Sequence, residues 1–167
     1  TVVSYLQIVK LSDHAGRISD LEQLSRLAIN LSDLVHELQR ERGIVGIYLS
    51  SEGTRFVKEL EVQRQRTDRR RDDVVRHMSA SNRKLYSEKF INLMTSSNDQ
   101  LGQISMVRHN VDRQMLSVSA GIQYYTHLNS TLLDAVGVMA NESVEPELTR
   151  DFLAYVNFLK GKEKAGI

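Results

Sequence analysis

The sequence predicts an all-α fold, an antiparallel up-down helical bundle of four main helices with short extra helices. Three observations predict it. Apolar residues recur at alternating three- and four-residue steps along two long stretches. No stretch carries the two-residue alternation of a half-buried strand. Punctuation is scarce, with 9 Gly and a single Pro, Pro146, in 167 residues. That length fits one domain able to bury its own core, so residues 1–167 read as a single helical domain.

The first helix carries a seam of Leu21, Leu24, Ala28, Leu31, Val35, Leu38, Arg42, Val45 and Leu49, the a/d pattern of helices packed at a shallow angle. Ser50 to Thr54 reads as a turn, with Thr54 as N-cap of the next helix. That helix is expected over Phe56–His77, with Phe56, Val57 and Leu60 at one end of its seam and Val74, Val75 and Met78 at the other. Between them the facing positions are the polar Gln63, Arg64 and Thr67. A short third helix is expected over Lys84–Met94, followed by a loop at Thr95–Asn98. A second seam then runs through Leu101, Ile104, Arg108, Val111, Met115, Val118, Ile122, Tyr125, Asn129, Leu132, Val136 and Met139. One unbroken helix there would be far longer than its neighbours, so a break is placed near Ser117 to Gly121. Ser143 to Pro146 opens a last helix, with Leu148, Phe152, Tyr155 and Leu159 on its apolar face.

The formal net charge of +1 gives no reason to expect a nucleic acid or an acidic membrane as partner. Arg66 to Asp73 looks basic, but Asp68, Asp72 and Asp73 interleave it, Arg69 can reach Asp72 and Asp73, and a solvated charged face follows. Cysteine is absent, which leaves the redox compartment open. No stretch approaches the roughly 18 apolar residues of a membrane span, and no signal peptide is visible. The abrupt start at Thr1 and end at Ile167 read as a segment of a longer protein. The 5 histidines show no paired ligand spacing, so no metal site is expected. No phosphate loop, dinucleotide fingerprint or nucleophile elbow appears, so neither a cofactor nor catalysis is expected.

Arg42 is the most informative residue. Every neighbour on its stripe is apolar, and the residues three and four away are Gln39, Val45, Leu38 and Gly46. An inward guanidinium without a counterion costs several kcal/mol. Something outside the helix must therefore meet it: an acid on another helix, solvent reached by snorkelling, or an anionic ligand. Gly43 and Gly46 lie beside it, and each costs a helix about 1 kcal/mol relative to Ala. They imply room for a ligand or a closely packed backbone. Antiparallel pairing across the Ser50–Thr54 turn sets Arg64 and Thr67 at a height similar to Arg42. Arg64 has Glu61 and Asp68 within helical reach, which gives it a structural reading beside the functional one, and Arg108 has Asp112 one turn on, so an intrahelical pair is its stronger reading.

The run Leu34-Val35-His36-Glu37-Leu38-Gln39-Arg40-Glu41-Arg42-Gly43 resembles the signature of the NIT (nitrate- and nitrite-sensing) domain of bacterial signalling proteins. Tyr48 to Gly53, Phe56, Leu60, Gln63-Arg64 and Thr67-Asp68 follow in the family's order. Tyr124-Tyr125, Leu128-Asn129 and Lys162 to Gly166 resemble its later segments. The resemblance implies a helical sensor that regulates an attached output module, of the chemoreceptor type above all. It implies nitrate or nitrite as ligand, with Arg42 as a principal contact and a second arginine just beyond Ile167. Gly43, Gly46, Gln63, Arg64 and Thr67 complete the candidate ligand site. A homodimer is expected from the long seams. The expected setting is the extracytoplasmic (periplasmic) part of an inner-membrane receptor, reaching the membrane only through flanking segments, with a cytoplasmic setting as the alternative. The competing reading is a ligand-free dimerisation or relay module in which Arg42 is a structural ion pair.

Overall fold

The computed structural model describes residues 2–142, together with Ala154, Asn157, Phe158 and Gly161. Among the described residues up to Glu142, five α-helices follow one another: α1 (Val2–Ser50), α2 (Val57–Ala80), α3 (Glu88–Gly102), α4 (Ile104–Asp112) and α5 (Val118–Glu142). A 3₁₀ turn at Arg83–Leu85 precedes α3, and no strand occurs among the described residues. Of the last helix expected from Ser143, the apolar face of Leu148, Phe152, Tyr155 and Leu159 lies outside the described residues, while Ala154, Asn157, Phe158 and Gly161 are helical.

The predicted seam of α1 is buried from Ala28 to Leu49, Arg42 included. A parallel row of Leu27, Leu34 and Glu41 is buried with it, so the covered stripe is wider than an a/d seam. Antiparallel pairing of α1 with α2 shows in three cross-contacts: Glu37 with Gln63, Asp33 with Arg70, and the Gln23 carbonyl with His77. On α2 the buried row is Leu60, Gln63, Thr67 and Val74, while Val57 and Val75 face solvent against expectation. Val75 follows the buried Val74 and so points about 100° off the row, while Val57 opens the first turn of α2 at the end of the bundle. α3 and α4 form one kinked arm that packs on α5 through Tyr124, whose hydroxyl donates to the Gln100 carbonyl at 2.7 Å. The four limbs of the bundle are thus α1, α2, the α3–α4 arm and α5.

Helix ends differ from expectation in instructive ways. α1 stops in a Schellman motif: Gly53 N–H bonds the Tyr48 carbonyl, Glu52 N–H bonds the Leu49 carbonyl, and Glu52 has φ 54°. Thr54 does not cap α2; its hydroxyl turns back to donate to the Ser51 carbonyl at 2.7 Å. The N-cap of α2 is Phe56 at φ 62°, with no side-chain hydrogen bond. The expected loop at Thr95–Asn98 is helical, because Thr95 and Ser97 donate to the carbonyls of Ile91 and Leu93 instead of capping. The third helix begins instead at Ser87, whose hydroxyl accepts from Phe90 N–H. α4 ends in a second Schellman motif, with Met115 N–H on Asn110, Gln114 N–H on Val111 and Gln114 at φ 55°. α5 resumes at Val118, so the break falls at residues 113–117, just before the expected one.

Candidate functional site

Two adjacent residues of α1 organise the polar interior. Consecutive helical residues point about 100° apart, so Glu41 and Arg42 serve different neighbours. Glu41 is fully buried. Its carboxylate takes the Arg108 guanidinium fork, with Nε to Oε1 at 2.8 Å and Nη2 to Oε2 at 2.9 Å. Tyr125 donates its hydroxyl to the same Oε1 at 2.8 Å. Arg108 Nη1 meets both oxygens of Asp68, at 2.8 and 3.0 Å. One cluster therefore ties α1, α2, α4 and α5. Burial opposes the charge on Arg108, yet its hydrogen bonds and charge contacts with Glu41, then Asp68, hold its pKa above the ordinary value. Burial pushes the Tyr125 phenol up, and the adjacent Glu41 charge and hydrogen bond add to it.

Arg108 thus bonds across the bundle and not to Asp112 on its own helix. Asp112 instead pairs with Arg64 on α2, Nη2 to Oδ1 at 2.8 Å and Nη1 to Oδ2 at 2.9 Å. Arg64 takes neither of its local acids. Similar re-pairing holds on the charged face: Arg69 donates to the Gln65 carbonyl, while Asp72 and Asp73 meet Arg71, Arg70 and Arg76.

Arg42 occupies the other side of this arrangement. It is 6 % exposed, and its Nη1 donates to the Thr126 hydroxyl oxygen of α5 at 3.0 Å. It lines a hollow of about 630 Å³ between α1 and α5, shared with Gly43, Gly46, Ile122, Thr126 and Arg55. The two glycines play different parts. A Cβ at Gly46 would stand 3.3 Å from Ile122 Cδ1, so Gly46 permits close packing of α1 on α5. A Cβ at Gly43 would meet nothing within 4 Å, so Gly43 leaves open space beside the guanidinium.

The other candidate residues are placed elsewhere. Gln63 donates its amide to the Glu37 carboxylate at 2.6 Å and to the Glu37 carbonyl at 3.1 Å. It lines an adjoining depression that shares Gly43 and Ile47 with the first. Thr67 is buried and donates to the Gln63 carbonyl. Arg64 is held by Asp112. The hollow therefore brings together Arg42, Gly43 and Gly46, and leaves Gln63, Arg64 and Thr67 outside it.

The sequence pattern defining the family described as nitrate and nitrite sensing matches residues 33–167. The chain belongs to the NIT family. No curated protein sequence matches it. Among solved structures, one titled as the structure of the NasR transcription antiterminator is similar with a TM-score of 0.83. The identity is 24 %, and the match covers 96 % of this chain and 45 % of that one. A likeness at that identity shows the fold, and the chain spans less than half of that neighbour's length. The sensing role rests on the family, and the neighbour adds the fold.

Within this NIT domain the acids of the signature run have distinct tasks. Glu37 anchors Gln63 and Glu41 anchors Arg108 and Tyr125, which leaves Arg42 as the signature side chain on the hollow. Glu41, Asp68, Tyr125 and Thr126 were not singled out from sequence. A signal for Glu41 did exist: it extends the heptad row Leu27, Leu34 into a charged position. Among the described residues no helix is long and apolar enough to cross a membrane. No group of three or more His, Asp or Glu there is placed to hold a metal ion.

Proposed function

We propose that this domain binds a small planar oxyanion, nitrate or nitrite, in the hollow beside Arg42 and passes the occupancy to an output module as a change in α1–α5 packing. One observation carries the reading: a guanidinium 6 % exposed forms the wall of an open hollow, next to a glycine whose missing side chain would meet only empty space. Guanidinium N–H groups suit the edge of a planar oxyanion, and each charge-assisted hydrogen bond contributes roughly 1.5–3 kcal/mol. The site residues on this reading are Arg42, with Gly43 and Gly46 shaping the space around it. A hollow of about 630 Å³ far exceeds what a four-atom anion fills, given that a water takes about 30 Å³ of the liquid. A further wall therefore closes it, contributed by a second subunit or by the arginine-bearing segment that the family resemblance places beyond Ile167.

Exposed apolar side chains, Ile47 on the hollow and Phe56 and Val62 on the adjoining depression, support a homodimer, and sedimentation at tens of micromolar tests it. The resemblance to chemoreceptors supports a receptor held at the membrane by flanking segments. The structural match favours a second reading, a regulator like the antiterminator. The deciding experiment is calorimetric titration of the full-length protein with sodium nitrate, with sodium chloride as the ionic control. Saturable nitrate binding that disappears in Arg42→Met is the expected result. Wild-type protein that shows no nitrate heat and no nitrate-dependent rise in melting temperature overturns the reading.

A further inference from the structure

We propose that Thr126 is a second anion-contacting group of the hollow, its oxygen holding Arg42 while its hydroxyl proton bonds an oxygen of the bound oxyanion. This rests on the assignment of the hollow as the anion site. A hydroxyl inside a helix normally turns back on its own backbone. Thr67, Ser79, Thr95, Ser97 and Thr131 all do so here, each donating to the carbonyl four residues earlier. Thr126 is different. Its oxygen accepts from Arg42 Nη1 at 3.0 Å, and among the described residues its proton has no acceptor. A hydroxyl carries one donor and two acceptor sites, so accepting from the guanidinium leaves the donor available.

Three features make that donor suited to an anion. Thr126 is half-buried and lines the same hollow as Arg42, so a ligand that reaches the guanidinium also reaches the hydroxyl. An oxygen that accepts from a cationic N–H is polarised, which strengthens the hydrogen bond its own proton makes. The Arg42 and Thr126 donors also stand side by side, 3.0 Å apart, an arrangement that two oxygens on one edge of a planar oxyanion can satisfy together. The position is fixed from outside the hollow, because the preceding residue, Tyr125, is anchored to Glu41.

Nitrate titrations of the full-length wild type, Thr126→Val, Thr126→Ala and Thr126→Ser test the assignment. Valine keeps the branched shape and removes only the hydroxyl, so nitrate affinity should fall about tenfold or more. Alanine should give the same loss, and serine, which restores the donor, should return affinity to within about threefold of wild type. Thr126→Ser should melt within about 2 °C of wild type, and Thr126→Val and Thr126→Ala, which lose the acceptor for Arg42, should keep a single cooperative transition at a somewhat lower midpoint, which separates loss of a contact from loss of fold. Wild-type affinity in both Thr126→Val and Thr126→Ala overturns this inference and leaves the anion site standing. A serine variant as weak as valine overturns it as well, since shape and not the hydroxyl would then matter. A wild type without nitrate binding overturns the anion site, and this inference with it.

Discussion

Arg108 and Arg42 both stand on predicted seams and both reach the interior beside α5, yet their surroundings make them opposites. The Arg108 fork is filled by Glu41 and its remaining nitrogen by Asp68, so every strong donor direction meets a carboxylate of the protein. Arg42 donates to a neutral hydroxyl and also lines a hollow. A buried arginine whose fork is filled by carboxylates from other helices is architecture, whereas one that borders open space is where the proposed anion would sit. The distinction lies in the neighbours and not in the arginine, which is why substitutions at the two positions must behave differently.

The sharpest test is Arg108→Met. It strands the fully buried Glu41 carboxylate, and breaking a buried pair in this way costs about 3–5 kcal/mol. Urea denaturation should show that loss, and Glu41→Gln combined with Arg108→Met should be less destabilised than the sum of the two. Equal additivity would break the picture of one coupled cluster. Arg42→Met should do the reverse: nitrate affinity disappears, while the ligand-free protein melts at the same or a higher temperature, because an apolar side chain replaces a desolvated charge. A loss of about 3 kcal/mol or more in the ligand-free form would instead make Arg42 a second structural pair.

Tyr125→Phe probes the cluster more gently. It removes one donor from Glu41 and should cost about 1 kcal/mol near neutral pH. The pH dependence has a definite sign. The Tyr125 pKa is raised in the folded protein, so its contribution is complete below the ordinary tyrosine value of about 10 and is lost as pH rises above it, where only the unfolded chain ionises freely. Denaturation midpoints measured from pH 8 upward, at about unit intervals, should fall more steeply for wild type than for Tyr125→Phe above about pH 10. The smallest effect is expected at the glycines. Gly43→Ala meets no atom within 4 Å and should raise ligand-free stability by about 0.5–1 kcal/mol. Gly46→Ala presses on Ile122 and should give less or none of that gain. A Gly43→Ala protein no more stable than Gly46→Ala would contradict the open space beside Arg42.

The bundle was legible because burial imposes a period, and that period is visible in Leu31, Val35, Leu38, Val45 and Leu49 without any structure. Helix ends were less so. Thr95 and Ser97 look like loop residues, yet the same hydroxyls bond their own helix equally well, and only tertiary burial of Ser97 decides between the two. Arg42 stood out because its own helix offers no acid three or four residues away. The partner of Arg108 did not, because Glu41 is 67 residues away and the nearby Asp112 offered a local pairing that α2 in fact claims through Arg64. Helical spacing reports neighbours along one helix, and it is silent about which limb lies across the core.

Glu41 and Arg42 are joined by one peptide bond but face different partners, and this makes α1 behave as a keyed shaft. A backbone at about 2.3 Å radius converts a sideways displacement of 1 Å into a rotation of about 25°. On the proposed anion site, an anion that drew Arg42 toward the hollow would exert a torque on α1, and the same turn would pull Glu41 against Arg108 and Tyr125. The carboxylate cluster would resist that rotation and return the helix when the anion left. The stiffness of the Glu41 contacts would then set how far α1 could turn, and how much of the binding energy at Arg42 would be held as elastic strain in place of affinity.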